Sequence, residues 1–318
     1  MSLKVLITDH AWPTIEPETT VLMEEAGAEV IVAPDTLEET LVSMATNVDA
    51  IMTCFAQVTS NDLRAAKRCM VVGRFGDGVD NIDVQTATDL GMVVTYVPDY
   101  CVDEVSDHVM ALLLTWNRRI ALLDRSVKTT GWGSIPLTMR IMRLRDKTLG
   151  IVGLGNIGMQ VALRAQPLGM EVVAHDPFVS QEVARDRGVQ LVTSDELFDC
   201  SDYVTLHLAV TPETKDFLDD KAFARMKDGV RIVNCARGEL IDADALARAL
   251  DVGKVSGAAL DVFEHEPNVH KALLALDNVL LTPHIGSGTV ETRTAMADLA
   301  ALNVIEVLSG NSPLTPVL

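Results

Sequence analysis

A glycine-rich turn and three polar residues downstream of it are the parts of this 318-residue chain whose types and spacing suit chemistry. The turn is Gly153-Leu154-Gly155-Asn156-Ile157-Gly158, directly after the apolar run 148–152 and directly before a helical stretch, 159–166. In that context it reads as a dinucleotide site. Gly153 makes the tight turn, Gly155 lets the main chain approach a pyrophosphate, and Gly158 lets helix and strand pack closely. The free N–H groups of the helix start, including those of Asn156 and Ile157, then face the anion. Asp176 follows Gly158 by eighteen residues, near the usual interval of about 20, where a carboxylate accepts hydrogen bonds from ribose hydroxyls and repels a 2′-phosphate. Pro177 and Phe178 come next rather than an arginine, so NAD is preferred over NADP. Glycines alone would serve an ordinary strand-to-helix turn equally well; strand, helix and acid together decide the reading.

Arg237, Glu266 and His284 each follow an apolar run: 230–236, 257–263 and 279–283. In an open parallel sheet the carboxyl ends of the strands form the ligand crevice, so the three side chains are expected to converge beside the cofactor. Taken singly, Arg237 fits a surface ion pair, Glu266 a helix-start charge and His284 a polar residue at a strand end. Their shared placement is what points to catalysis.

The elements that must position these groups are short β-branched runs alternating with helical patterns. Runs at 5–7, 30–32, 50–52, 70–73 and 92–94, with helical stretches such as 18–26 and 62–67 between them, predict βαβ units on a parallel sheet. Apolar residues spaced by three or four, from Val105 through Val109, Leu112, Leu113, Trp116, Ile120 and Leu123, predict one long helix between two domains. Alternation resumes at 148, with strands predicted at 150–153, 171–176, 203–208, 230–235, 257–263 and 279–283. The final helical segment, 291–308, is expected to fold back on the first domain and make it discontinuous.

The length suits two domains, each with its own core. Five cysteines, at 54, 69, 101, 200 and 235, form no CxxC pair, so neither a disulfide framework nor a metal site is predicted. Acidic residues outnumber basic ones 45 to 26, a net charge of −19, which disfavours nucleic acid and anionic lipid as partners. The N-terminal apolar run is too short for a secretory signal, and 109–116 is far short of the roughly 20 residues that span a bilayer. A cytoplasmic protein without membrane contact is the expectation. In so acidic a chain, an arginine beside the cofactor marks where an anionic substrate binds.

Five segments together resemble the D-2-hydroxyacid dehydrogenase family over nearly the whole length: Arg74-Phe75-Gly76-Asp77-Gly78-Val79-Asp80-Asn81-Ile82-Asp83, the glycine turn, Asn234-Cys235-Ala236-Arg237-Gly238, the run 260–267 and Thr282-Pro283-His284-Ile285-Gly286. The first of these and the segment 97–108 look closest to the branch containing the C-terminal-binding-protein corepressors and their bacterial enzyme relatives. The resemblance implies two Rossmann-like or flavodoxin-like doubly wound α/β domains joined by long helices, with the active-site cleft between them. Residues 1–100 with 287–318 would bind substrate, and 101–286 would bind NAD. It implies hydride transfer between NAD(H) and a small anionic 2-keto or 2-hydroxy acid such as glyoxylate, hydroxypyruvate or pyruvate, with D stereochemistry. Arg237 would bind the carboxylate and polarise the keto group, His284 would be the acid and base, and Glu266 would favour its imidazolium. Main-chain N–H groups of Gly76, Asp77 and Gly78 would add substrate contacts. By position, Val105, Thr211, Pro212, Cys235, Ala236 and Asp261 would touch the cofactor, the last at its carboxamide; Val105 and Cys235 are residue types ordinarily found in cores.

Departures from the family pattern carry further expectations. Asp77 stands where many members have a small or aliphatic residue, which disfavours a doubly anionic phosphoglycerate, although phosphoglycerate dehydrogenase stays an alternative. The end at Leu318 lacks the regulatory extension of some such enzymes. Glu266 argues against formate. His10 and Phe55, at carboxyl ends in the first domain, are candidates to face substrate, though ordinary loop residues explain each alone. The segment of about 120–145, with Leu122, Leu123, Trp132, Ile135, Leu137 and Ile141, is read as a homodimerisation arm. An NAD(H)-sensing corepressor-like binding protein is the reading from another functional class; hydride donation by phosphite or another non-carbon donor would use the same Arg237, Glu266 and His284.

Overall fold

The computed structural model describes residues 2–9, 16–132 and 141–317. His10, Ile135 and Leu137 lie outside the described residues. The chain divides into two compact units, Met1–Tyr100 with Thr289–Leu318, and Cys101–Gly288.

The first unit is built on five parallel strands: β1 (Lys4–Ile7), β2 (Glu29–Val32), β3 (Ala50–Thr53), β4 (Val71–Arg74) and β5 (Val93–Thr95), in the order β2-β1-β3-β4-β5. The period-two geometry of a strand sorts its side chains onto two faces. Val5, Ile7, Met52 and Val71 meet Leu22 of helix Glu16–Ala26 and Met296, Ala300 and Val304 of helix Val290–Leu308. Leu6, Ile51 and Val72 meet Ala45, Leu63 and Ala87 from helices Glu38–Ala45, Ser60–Ala65 and Val84–Asp89. Both faces are covered, so the central strands read as unbroken apolar runs. Two of these helices start on side-chain caps: Thr59 and Asp62 form a capping box, and Asp83 accepts from the N–H of Thr86.

The second unit carries seven parallel strands: β6 (Thr148–Val152), β7 (Glu171–His175), β8 (Gln190–Leu191), β9 (Tyr203–Leu206), β10 (Val230–Asn234), β11 (Val255–Leu260) and β12 (Val279–Leu281). Their order is β12-β11-β10-β9-β6-β7-β8, so the winding direction reverses between β6 and β9. Such a switch point is where doubly wound sheets bind ligands. Two doubly wound parallel-sheet α/β units are thus present, as the resemblance implies. The two-residue β8 escaped that reading because so short a strand has no period to detect.

The predicted single helix from Val105 to Leu123 is two helices, Val102–Asn117 and Ile120–Thr130. Arg119 breaks it with a left-handed φ of 56°, and its guanidinium lies 3.8 Å from the centroid of the Trp116 ring. The N–H groups of Arg118 and Arg119 turn back to the carbonyls of Leu114 and Trp116. Neither Gly nor Pro marks the break, so the sequence carries no stop signal. Helix Val102–Asn117 buries Val105, Val109, Leu112, Leu113 and Trp116, whereas Ile120–Thr130 buries nothing. No described helix is long and apolar enough to cross a membrane.

Candidate active site

The glycine turn leaves β6 at the switch point. Gly153 has a φ of +93°, and a Cβ on Gly158 would stand 2.1 Å from the Gly153 carbonyl oxygen, so a side chain at either position displaces the main chain. A Cβ on Gly155, by contrast, would meet nothing within 4 Å. The start of helix Asn156–Ala165 therefore opens onto free space, with Gly155 and Asn156 exposed and Ile157 half-buried. An exposed helix N-terminus with no side-chain cap suits a pyrophosphate. At the end of β7, Asp176 Oδ2 accepts the N–H of Leu154 at 2.8 Å and Oδ1 accepts that of Phe178 at 2.8 Å. The acid is thus tied to the turn and only partly buried, which fits adenosine ribose hydroxyls. These residues fit NAD on geometry alone.

Strands β10, β11 and β12 end level with one another: Asn234 pairs with Leu260, and Leu260 with Leu281. Neighbouring strands stand about 4.8 Å apart, so the three loops start within about 10 Å. After β10, Asn234 clamps its own loop, donating to the Arg237 carbonyl at 2.7 Å and accepting from the Ala236 N–H at 3.0 Å. Arg237 is part-buried and donates to the Ala236 carbonyl at 2.8 Å. A Cβ on Gly238 would fall 2.0 Å from the Phe263 carbonyl carbon, so only glycine lets this loop press against the one after β11.

That second loop carries Glu266, whose Oε1 accepts the Phe263 N–H at 2.9 Å and whose Oε2 lies 2.7 Å from His284 Nδ1. Both side chains keep about 30 % exposure (31 % for His284, 29 % for Glu266), open enough for a ligand to reach them. Sequence reasoning placed Glu266 and His284 at strand ends, and the structure brings them into contact.

Asp261 is 1 % exposed. Burial pushes its carboxyl up, but hydrogen bonds from His108, Thr282, Ile285 and Gly286 outweigh that and hold it below the usual carboxylate range. Its carboxylate is turned onto the protein's own groups; the carboxamide contact implied by the resemblance rests on resemblance alone. The Cys235 thiol lies in the same cluster, its ligand atom within 4.8 Å of those of His108 and Asp261. Burial, then Asp261, pushes that thiol well above its ordinary value, which keeps it protonated. Thr211 and Pro212 are exposed in the turn after β9, and Val105 is 8 % exposed in its helix. Gly76, Asp77 and Gly78 belong to the first unit, in the turn after β4; Asp77 is exposed, and Arg74 donates to the carbonyls of Phe75 and Gly78. Phe55 follows β3, its N–H held by Asp9 at 2.7 Å.

His108, Thr282 and Asn234 had no role in the sequence reading although all three stand in the quoted segments. His108 falls between Val105, Val109 and Leu112 on the apolar stripe of its helix, and a titratable group in such a stripe was the available signal.

Residues 110–286 match the family model described as D-isomer specific 2-hydroxyacid dehydrogenase, NAD binding domain. The chain is 39 % identical over 310 residues to a D-3-phosphoglycerate dehydrogenase of Methanocaldococcus jannaschii, covering 97 % of this chain and 58 % of that protein. It thus spans little more than half the length of that relative. Among solved structures, a glyoxylate reductase from Paecilomyes thermophila aligns with a TM-score of 0.88 at 32 % identity, covering 99 % of this chain and 98 % of that one. The apo D-lactate dehydrogenase of Escherichia coli aligns with a TM-score of 0.85 at 28 % identity, covering 99 % and 100 %.

Proposed function

The chain belongs to the D-isomer specific 2-hydroxyacid dehydrogenase family, and from that premise we propose that it interconverts a small 2-keto acid and its D-2-hydroxy acid with NAD(H). The observation that carries this reading is the 2.7 Å contact between His284 Nδ1 and Glu266, at the carboxyl end of the sheet whose first turn fits the dinucleotide. The nicotinamide, when bound, supplies or takes up the hydride.

Glu266 accepts the Nδ1–H of His284, which fixes the ring and leaves Nε2 as the working atom. In reduction Nε2 gives its proton to the carbonyl oxygen; in oxidation the neutral ring takes the hydroxyl proton. Arg237 grips the substrate carboxylate with parallel N–H bonds and draws the keto oxygen's charge toward itself. Asp176 accepts the ribose hydroxyls and repels a 2′-phosphate.

A phosphorylated substrate is the second reading, supported by the relative from Methanocaldococcus jannaschii. Against it, the turn after β4, which only the resemblance makes part of the substrate site, contains the exposed Asp77, and Arg74 beside it donates to main-chain carbonyls. Glyoxylate, hydroxypyruvate or pyruvate therefore fits better. Following NADH and NADPH absorbance with these three acids and with phosphohydroxypyruvate tests the choice. Turnover of the unphosphorylated acids with NADH, lost in His284→Asn, is expected; efficient turnover of phosphohydroxypyruvate sinks the substrate assignment.

We also propose a homodimer through the segment of about 120–145. Its helix Ile120–Thr130 buries no residue, and Trp132 is 81 % exposed. A monomer by sedimentation at micromolar concentration counts against it.

A further inference from the structure

Three consecutive main-chain N–H groups of the loop that carries His284 end on one residue. His284 donates to the Asp261 carbonyl at 2.7 Å, Ile285 to Asp261 Oδ1 at 3.0 Å and Gly286 to Asp261 Oδ2 at 2.8 Å. His284 itself sits at a φ of 51°, in the left-handed region that a residue with a Cβ keeps only while its surroundings hold it there. Asp261 is that surrounding, and it is itself held.

The Thr282 hydroxyl donates to Asp261 Oδ1 at 2.5 Å. A hydroxyl has one proton, so with that proton committed the Thr282 oxygen can only accept from His108 Nε2, 3.1 Å away. The proton count therefore places a hydrogen on Nε2 of His108, which also lies 3.4 Å from Asp261 Oδ1. His108 rides on helix Val102–Asn117, which is pinned to the sheet where Trp116 Nε1 donates to the Asn278 carbonyl at 2.8 Å. A rigid donor thus faces the Thr282–Asp261 pair from outside the loop.

We propose that His108 is a positioning residue for the reaction: through Thr282 and Asp261 it holds the loop 282–286 in the conformation that presents His284 to Glu266. This role rests on the proposed chemistry of His284, but the holding of the loop stands on its own geometry. His108 touches neither Glu266 nor Arg237 in any hydrogen bond among the described residues, and it acts at one remove.

His108→Leu removes the donor, His108→Gln restores an N–H at a similar reach, and Thr282→Val breaks the chain at its other link with little change of volume. In keto-acid reduction, His108→Leu and Thr282→Val are expected to lower kcat about tenfold or more, the scale set by misplacing a reacting group. NADH affinity should stay within about twofold of wild type, and His108→Gln should recover most of the loss. The main-chain amide resonances of Ile285 and Gly286 should move in the Leu and Val variants and return in the Gln variant, a readout that needs no turnover. Unchanged kcat and unchanged resonances overturn the proposal, as does a loss of kcat that merely tracks NADH affinity or that Gln fails to restore. If wild type reduces none of the keto acids, the proposed reaction falls, and the amide resonances alone then decide whether His108 holds the loop.

Discussion

His284 Nδ1 and Glu266 Oε2 stand 2.7 Å apart, and the other oxygen of Glu266 is fixed by the Phe263 N–H at 2.9 Å. The carboxylate is therefore oriented before any ligand arrives. Glu266→Gln keeps the shape and the Phe263 contact but removes the charge facing the imidazole. We expect kcat for reduction to fall roughly 10²-fold, the lower end of what a general acid contributes, with KM changed much less. Steady-state kinetics at saturating NADH measures it, and a Gln variant of near wild-type kcat would contradict the assignment.

Arg237 is held in place by the Asn234 clamp on its carbonyl. Arg237→Lys keeps the positive charge and loses the planar fork, so it should not restore binding. We expect the keto-acid KM to rise about 10²-fold in Arg237→Lys, the cost of a charge-assisted bidentate contact, while NADH binding followed by fluorescence stays unchanged. Equal loss of NADH affinity would move Arg237 into the cofactor site.

Asp176 donates nothing and repels a 2′-phosphate through its carboxylate, which already accepts from Leu154 and Phe178. Asp176→Asn retains acceptor capacity and removes the charge. The ratio of kcat/KM for NADPH over NADH should rise about tenfold, equivalent to about 1.4 kcal/mol. A wild-type preference for NADPH would defeat the reasoning before any variant is made.

His207 follows β9, beside the dinucleotide turn: its N–H donates to Val152, and a Cβ on Gly153 would meet its carbonyl. Burial pushes its imidazole down to about 4. The unfolded chain takes up this proton near pH 6.5, so the contribution to stability is complete above that pH. It declines as the pH falls from about 6.5 and is lost through pH 4, where the folded ring also protonates. The range amounts to about 2 kcal/mol, allowing for the ring's partial exposure. His207→Gln should flatten this part of the urea midpoint against pH curve between pH 7.5 and 4, on the order of that difference; a curve of unchanged slope would show that other groups set it.

Much of the site was legible because its signals are local. Gly153, Gly155 and Gly158 answer steric demands that act within one turn, and Asp176 closes the next strand. Arg237, Glu266 and His284 each follow an apolar run, so their placement at carboxyl ends could be read from strand periodicity. What escaped are contacts with no local signature. His108 and Thr282 lie 174 residues apart in sequence and 3.1 Å apart in space, and no spacing rule links them. The helix break at Arg119, where the left-handed residue's guanidinium lies over Trp116, has no local signature either, and the heptad-like spacing runs through it unchanged.

Legible in the chain alone were βαβ units on parallel sheets, a dinucleotide turn with its acid, and three polar groups at strand ends, because alternation, glycine sterics and helix-start electrostatics all operate over a few residues; the doubly wound winding came with the family resemblance. The tertiary structure alone decided that Glu266 meets His284, that Gly238 lets the Arg237 loop close on the Glu266 loop, and that Asp261 gathers the three N–H groups which keep His284 left-handed. Those outcomes come from sheet order and register, which set distant segments side by side at hydrogen-bonding distance, and no chain-local rule contains that information.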